Sequence, residues 1–464
     1  MQNSASLPLF ARIILPLCLI LLAQIKPVAV EAQQAFQPPN EAGVGQDKAA
    51  RLEKLLLLQP WRVDLWEQIG YSRAANGDAL GAIEALENIK DLTPQGRDQL
   101  MSLYIQVGNT SRALELSLTE IQNPQASENA FRVAISQLRK NGRYDEALQA
   151  AEHWRQNYPA SSEAVYVTNV MRLGKSGNKT AEMDVKLVDN ATHLQTLDEI
   201  HQVILRFDGD SDLAMQKVAI ARTLAKYGEW DVARIILEEA VAIEPQYAEA
   251  WALLGEAAFQ TGGDGWKFFE QAQNLNDQSA VIKVLLGIRY RQAGQPDIAL
   301  VYLQEATRLE PLEARWQVET AAALVDMGRM SEALSRYLRA YEIAPGDKDI
   351  IRALVLFSGN YSIGLQEIGI PAARKLILLD DKDAESQDLM GWLLMKATDY
   401  TSAERFFHHA LELDANFVQA NYHLGQLYLL TNRRGDAYFH LSRVVAQLPE
   451  GEQIRISAER LLQP

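Results

Sequence analysis

The chain has 464 residues, with 60 acidic against 45 basic side chains and a formal charge of −15. Hydrophobic residues make up 48% and charged residues 23%, the balance of a folded chain rather than a disordered one. A chain this acidic repels a phosphate backbone, which argues against nucleic acid as a partner.

At the N-terminus, Ile13 to Ile25 form an apolar run behind Arg12 and ahead of Lys26, with Val30-Glu31-Ala32 beyond. A basic residue, an apolar core and a small residue at a cleavage point make residues 1–32 an export signal, either cleaved or kept as an anchor. The expected location is outside the cytoplasm: periplasmic, extracellular, or held at a membrane through the N-terminus. The single cysteine, Cys18, falls in this run, so the remainder has no disulfide framework, thiolate cage or cysteine nucleophile. Gln33 to Gln46 is rich in Pro, Gly and Gln and reads as a flexible tether, so residues 33–62 are assigned as tether plus a leading helix.

From about Val63 the chain repeats itself. Gly108 and Gly142 are 34 residues apart, and so are Gly294 and Gly328, Ala299 and Ala333, Pro311 and Pro345, and Gly391 and Gly425. The clearest unit runs from Ala214 to Tyr247. Its first helix puts Ile220, Ala221 and Leu224 on one stripe. Gly228 then makes the turn, where a positive φ is needed. A second helix with Ala233, Leu237 and Ala240 follows and is stopped by Pro245. Ala233 and Gly255 fall where paired helices come close, whereas Leu237, Leu303 and Tyr337 fill the gap to the next pair. Trp230, Trp251, Phe407 and Tyr438 take stripe or inter-repeat positions, which predicts core packing.

Further units begin near Val63, Pro94, Glu128, Ala280, Ala314, Ala384 and Val418. A contracted unit near Ala248 turns through Gly262-Gly263-Asp264-Gly265. A stretched one near Lys348 has a longer inter-helix loop over Ser358 to Gly369. The predicted organisation is an N-terminal block (63–161), a degenerate helical joint (162–213), a C-terminal block (214–449) and a capping helix (450–464).

A 34-residue helix–turn–helix period resembles the tetratricopeptide (TPR) superfamily. The resemblance implies an all-α, right-handed superhelical solenoid of about 10 antiparallel helix pairs plus a cap. It further implies a non-catalytic protein-interaction scaffold, whose inner groove, lined by the first helix of each pair, holds a protein or peptide partner. On that geometry the groove positions include Arg132, Arg139, Arg222 and Arg291, which would grip carboxylates, and Trp392, Tyr422 and Gln426. Trp392, Tyr422 and His423 form the most suggestive aromatic group. The Lys and Asn combination of the family's chaperone-tail clamp is missing. If Trp392 faces a groove, its truncation is expected to cost stability only about 0.5 kcal/mol, whereas Ala333→Leu overpacks a helix contact.

No cofactor, metal or catalytic residue is predicted. G-x-x-x-x-G-K-[ST], G-x-S-x-G and H-E-x-x-H do not occur. His408, His409, His423 and His440 offer no i, i+4 ligand pair. The one place for a grafted activity is 162–213, with Asp184, Asp189, His193 and His201. His193 and His201, eight apart, share a face if one helix spans both. The alternative to a general scaffold is an accessory factor of envelope polysaccharide synthesis or secretion, by family analogy.

Overall fold

The computed structural model describes residues 42–59, 62–176, 187–207, 213–448 and 451–463. The export signal and most of the tether expected from the sequence lie outside these residues. Among the described residues all regular structure is helical, in 24 α-helices. None of these is long and apolar enough to cross a membrane. The chain divides into two compact units at Leu275/Asn276.

The first unit opens with α1 (Ala42–Leu58), which is helical from within the stretch read as tether. Three helix pairs follow: α2 (Val63–Ala75) with α3 (Ala79–Glu87), α4 (Pro94–Gln106) with α5 (Thr110–Glu120), and α6 (Glu128–Lys140) with α7 (Tyr144–Asn157). Next come α8 (Ser162–Ser176) and α9 (Ala191–Arg206). The unit closes with α10 (Leu213–Lys226) against α11 (Trp230–Ile243), then α12 (Ala248–Gln260) against α13 (Trp266–Leu275). Residues 162–206 depart from the pattern. Helix α8 takes a first-helix place against α7, but its other neighbour is α11, while α9 packs beside α10. Gly174 faces Val232 and Ile235 of α11 at this contact, at ordinary van der Waals distance.

The second unit is built of α14 (Ala280–Gln292) with α15 (Pro296–Leu309), α16 (Ala314–Asp326) with α17 (Met330–Ile343), and α18 (Lys348–Tyr361) with α19 (Ile370–Leu379). Then come α20 (Ala384–Lys396) with α21 (Tyr400–Leu413) and α22 (Val418–Leu430) with α23 (Arg434–Gln447). Helix α24 (Gln453–Leu462) packs on α22 and α23 through Leu441, Val444 and Ala458.

The repeat's small residues do what their spacing predicts. Ala233, Ala299, Ala333 and Ala403 are all 0% exposed. A Cβ on Gly255 would meet Phe269 at 2.8 Å, and one on Gly391 would meet Phe407 at 2.7 Å. Such helices approach too closely for anything larger. The turn inside a pair places a residue at positive φ: Gly228 (84°), Gly294 (72°) and Gly328 (72°), for example. In the last three pairs Ser362 (55°), Thr398 (65°) and Asn432 (59°) hold that place, at a steric cost glycine avoids.

Two expectations are corrected. Tyr438 is 64% exposed, because Ala437 and Leu441 are the residues of α23 that turn to the core. The stretch Ser358 to Gly369 is largely helical rather than a long loop. Helix α18 runs on to Tyr361, Ser362 ends it in the left-handed region, and the Gly369 N–H donates to Gly364 O (3.0 Å) in a wide turn that leads into α19.

Candidate functional site

Three successive first helices of the second unit, α18, α20 and α22, enclose a cleft of about 530 Å³. Helix α18 supplies Leu356 and Asn360, both exposed. Helix α20 supplies Glu385, Asp388 and Trp392, and α22 supplies His423. Residues at i, i+3 and i+7 share one helix face, so Glu385, Asp388 and Trp392 point the same way. Trp392 is half-buried, and a Cβ on Gly359 of α18 would overlap its ring. On another side the indole stacks on the His423 imidazole, with centroids 6.1 Å apart and planes at 18°. The Lys396 ammonium lies 5.9 Å from the indole ring centre.

The carboxylates are unevenly neutralised. Asp388 is 2% exposed and engages His423 Nδ1 through Oδ1 at 2.9 Å. Its Oδ2 takes no hydrogen bond among the described residues. Glu385 lies 3.1 Å from Arg352 Nε, and that guanidinium also serves Asp349 at 2.8 Å. Burial pushes the Glu385 carboxyl above its ordinary pKa against the pull of Arg352, and the nearby Asp383 and Asp388 charges add to the rise. The site is an aromatic wall beside two incompletely compensated acids.

Of the groove residues expected from the sequence, Trp392 lines this cleft, whereas Tyr422 and Gln426 do not. The Gln426 amide donates to Tyr422 Oη (3.0 Å), and Tyr422 packs toward α24. Their neighbour His423 takes the cleft position instead. Asn360, Glu385 and Asp388 were missed, although the last two stand one and two turns ahead of Trp392 on its own face.

The four arginines tie one element of the solenoid to another rather than offering free cations. Arg132 on α6 makes a two-pronged pair with Glu163 on α8 (2.8 and 2.6 Å). Arg139 reaches Asp231 (2.7 and 2.5 Å) and Glu229 at the start of α11. Burial opposes the Arg139 charge, but those carboxylates outweigh it and hold the pKa above its ordinary value. Arg222 is only 3% exposed and pairs with Glu249 on α12 at 3.3 Å. Arg291 reaches Glu319 (3.2 Å) and Asp326 (2.7 Å) on α16. Each of these side chains is thus paired with carboxylates of this chain, Arg132 while still half-exposed. Arg132 and Arg139 also border a second cleft, of about 710 Å³, in the first unit with Trp154, Glu163, Trp230 and Arg234.

Among the other histidines, His201 and His409 are exposed, whereas His408 and His440 are held by neighbouring side chains. His408 Nε2 meets Tyr428 Oη (3.0 Å), and His440 Nδ1 meets Asn421 Oδ1 (2.9 Å). Burial lowers the His440 pKa to about 4. One helix, α9, does span His193 and His201, and the His193 ring stacks on Tyr166 with centroids 3.8 Å apart. Asp184 lies outside the described residues. Among those described, no group of three or more His, Cys, Asp or Glu side chains is placed to hold a metal ion.

Two tetratricopeptide repeat family models match the chain, one over residues 218–263 and 284–348 and the other over 394–458. These segments fall on the helices from α10 to α12, from α14 to α17 and from α21 to α24. The chain is a tetratricopeptide-repeat protein. Solved structures similar to this TPR protein include the APC/C hetero-tetramer Cut9–Hcn1, at 15% identity over 90% of this chain and 93% of that one, with a TM-score of 0.42. Yeast Tom70 aligns at 12% identity over 87% and 95%, with a TM-score of 0.44. Pseudomonas aeruginosa pilF aligns at 18% identity over 46% and 96%, with a TM-score of 0.37. No curated protein matches its sequence.

Proposed function

We propose that this TPR protein is a non-catalytic scaffold that seats a peptide segment of a partner protein in the cleft of α18, α20 and α22. The observation that carries this reading is Trp392, a half-buried indole of α20 flanked by buried Asp388 of its own helix, exposed Asn360 of α18 and His423 of α22. Large aromatic side chains in desolvated concavities supply most of the affinity in peptide and protein recognition. The apolar run Ile13 to Ile25 supports placing the scaffold outside the cytoplasm. Mass spectrometry of the mature N-terminus tests that placement.

The scaffold role is tested with a photo-crosslinking residue at Asn360, on the cleft rim, and separately at Tyr438, an exposed site on α23. Crosslinks from Asn360 to one recurring partner peptide, missing from Tyr438 and lost in Trp392→Ala, are expected. Identical products from the two positions, or none from Asn360, would remove the cleft from the account.

A further inference from the structure

The cleft's charge pattern says what kind of peptide suits it. Glu385 and Asp388 line it, Asp349, Asp383 and Arg352 lie near Glu385, and Lys396 lies beside Trp392. Arg352 is divided between Asp349 and Glu385. Asp383 is turned to the start of α20, where it accepts the Glu385 N–H (3.3 Å) and the Ser386 hydroxyl. Asp388 keeps one oxygen without a donor although its side chain is 3% exposed. At the cleft wall this oxygen is poorly rather than freely hydrated, so a donor arriving with a ligand gains more there than at the open surface. The same face carries Trp392, a flat apolar wall of the kind on which a cationic side chain lays its stem.

We propose that the cleft of α18, α20 and α22 selects a peptide bearing an arginine or lysine, whose cationic head sits between Glu385 and Asp388 and whose aliphatic stem lies along Trp392. The proposal rests on the peptide-scaffold reading and adds its specificity. An acidic peptide is disfavoured, because its carboxylate would face Glu385 and Asp388, with Arg352 already shared between two acids and Lys396 the other nearby cation.

The test is binding of the full chain to a soluble decapeptide library divided into pools, each with one residue type fixed at one position. The chain is used as wild type and as Asp388→Asn, Glu385→Gln, Trp392→Ala and Glu332→Gln. Asn at position 388 still accepts from His423, so the cleft keeps its shape. Glu332 is an exposed acid on α17, away from the cleft, and controls for general attraction of cations to a chain of charge −15. Expected are tightest binding by the Arg and Lys pools, a loss of about tenfold or more in Asp388→Asn and in Glu385→Gln, and no change in Glu332→Gln. Equal losses in Glu332→Gln and Asp388→Asn, or preference for neutral or acidic pools that still need Trp392, would overturn the cation assignment alone. Binding by no pool, or binding that ignores Trp392→Ala, would overturn the peptide cleft itself.

Discussion

Replacing Arg291 by Met should weaken the second unit in a manner set by pH. The Arg291 side chain is 10% exposed and its partner Glu319 is 3% exposed, so both charges sit away from water. Removing one partner of a buried ion pair leaves the other uncompensated and costs about 3–5 kcal/mol. Here the orphans are Asp326, whose side chain still reaches water, and buried Glu319, which burial already pushes up to about 7. An acid whose folded pKa exceeds its unfolded value holds a proton more tightly when folded. Stability is then greatest below the unfolded value, near 4.5, and falls as pH rises toward the folded one. Loss of Arg291 raises the folded value further, so the variant's deficit should be small at pH 5 and full at pH 8. A repeat array this long does not unfold in one step, so the quantity to measure is local opening of α14 to α17 by native-state amide exchange. The double variant Arg291→Met/Glu319→Leu should recover most of the loss, since an apolar pair replaces a buried ionic one at little cost. A deficit below about 1 kcal/mol at pH 8, or one equal at both pH values, would show that the pair is solvated and the reasoning wrong.

Ala333→Leu should cost about 1–3 kcal/mol, read as a lower urea midpoint, because Ala333 is fully buried between α16 and α17. Trp392→Ala should cost about 2 kcal/mol, roughly half of a full core truncation, because the ring packs on Gly359 and His423 as well as facing the cleft. Its thermal melt should therefore fall between wild type and Ala333→Leu, not on the wild-type curve as a purely exposed groove residue would require. Thr398→Gly should raise stability by about 1 kcal/mol in the same urea titration, because it relieves a branched side chain at φ 65°.

What was legible in the sequence is whatever repeats. The 34-residue interval shows in Gly294 and Gly328 because each pair needs a left-handed turn, and in Ala299 and Ala333 because each pair needs a close approach. Pairing between repeats leaves no such mark. Arg222 and Glu249 are 27 residues apart, Arg139 and Asp231 are 92 apart, and nothing local records either distance. Arg222 and Arg291 therefore look like free groove cations until the next first helix is in place. Tyr422 was assigned to the cleft through a rotation of one residue: adjacent side chains on a helix point about 100° apart, and His423 is the one that faces Trp392. The acids Glu385 and Asp388 were within reach, at seven and four residues before Trp392, but an acidic chain offers so many carboxylates that two more carry no signal. The packing of α9 on α10 and of α8 on α11 escapes sequence reasoning, because no repeat interval marks either contact.

The most direct measurement is an amide-exchange footprint of the full chain bound to the partner recovered through the Asn360 crosslink. The account predicts new protection over α18, α20 and the start of α22, reduced in Trp392→Ala and in Asp388→Asn. Protection confined to the second helices α21 and α23, or bound partner with unchanged exchange at Trp392, would contradict it.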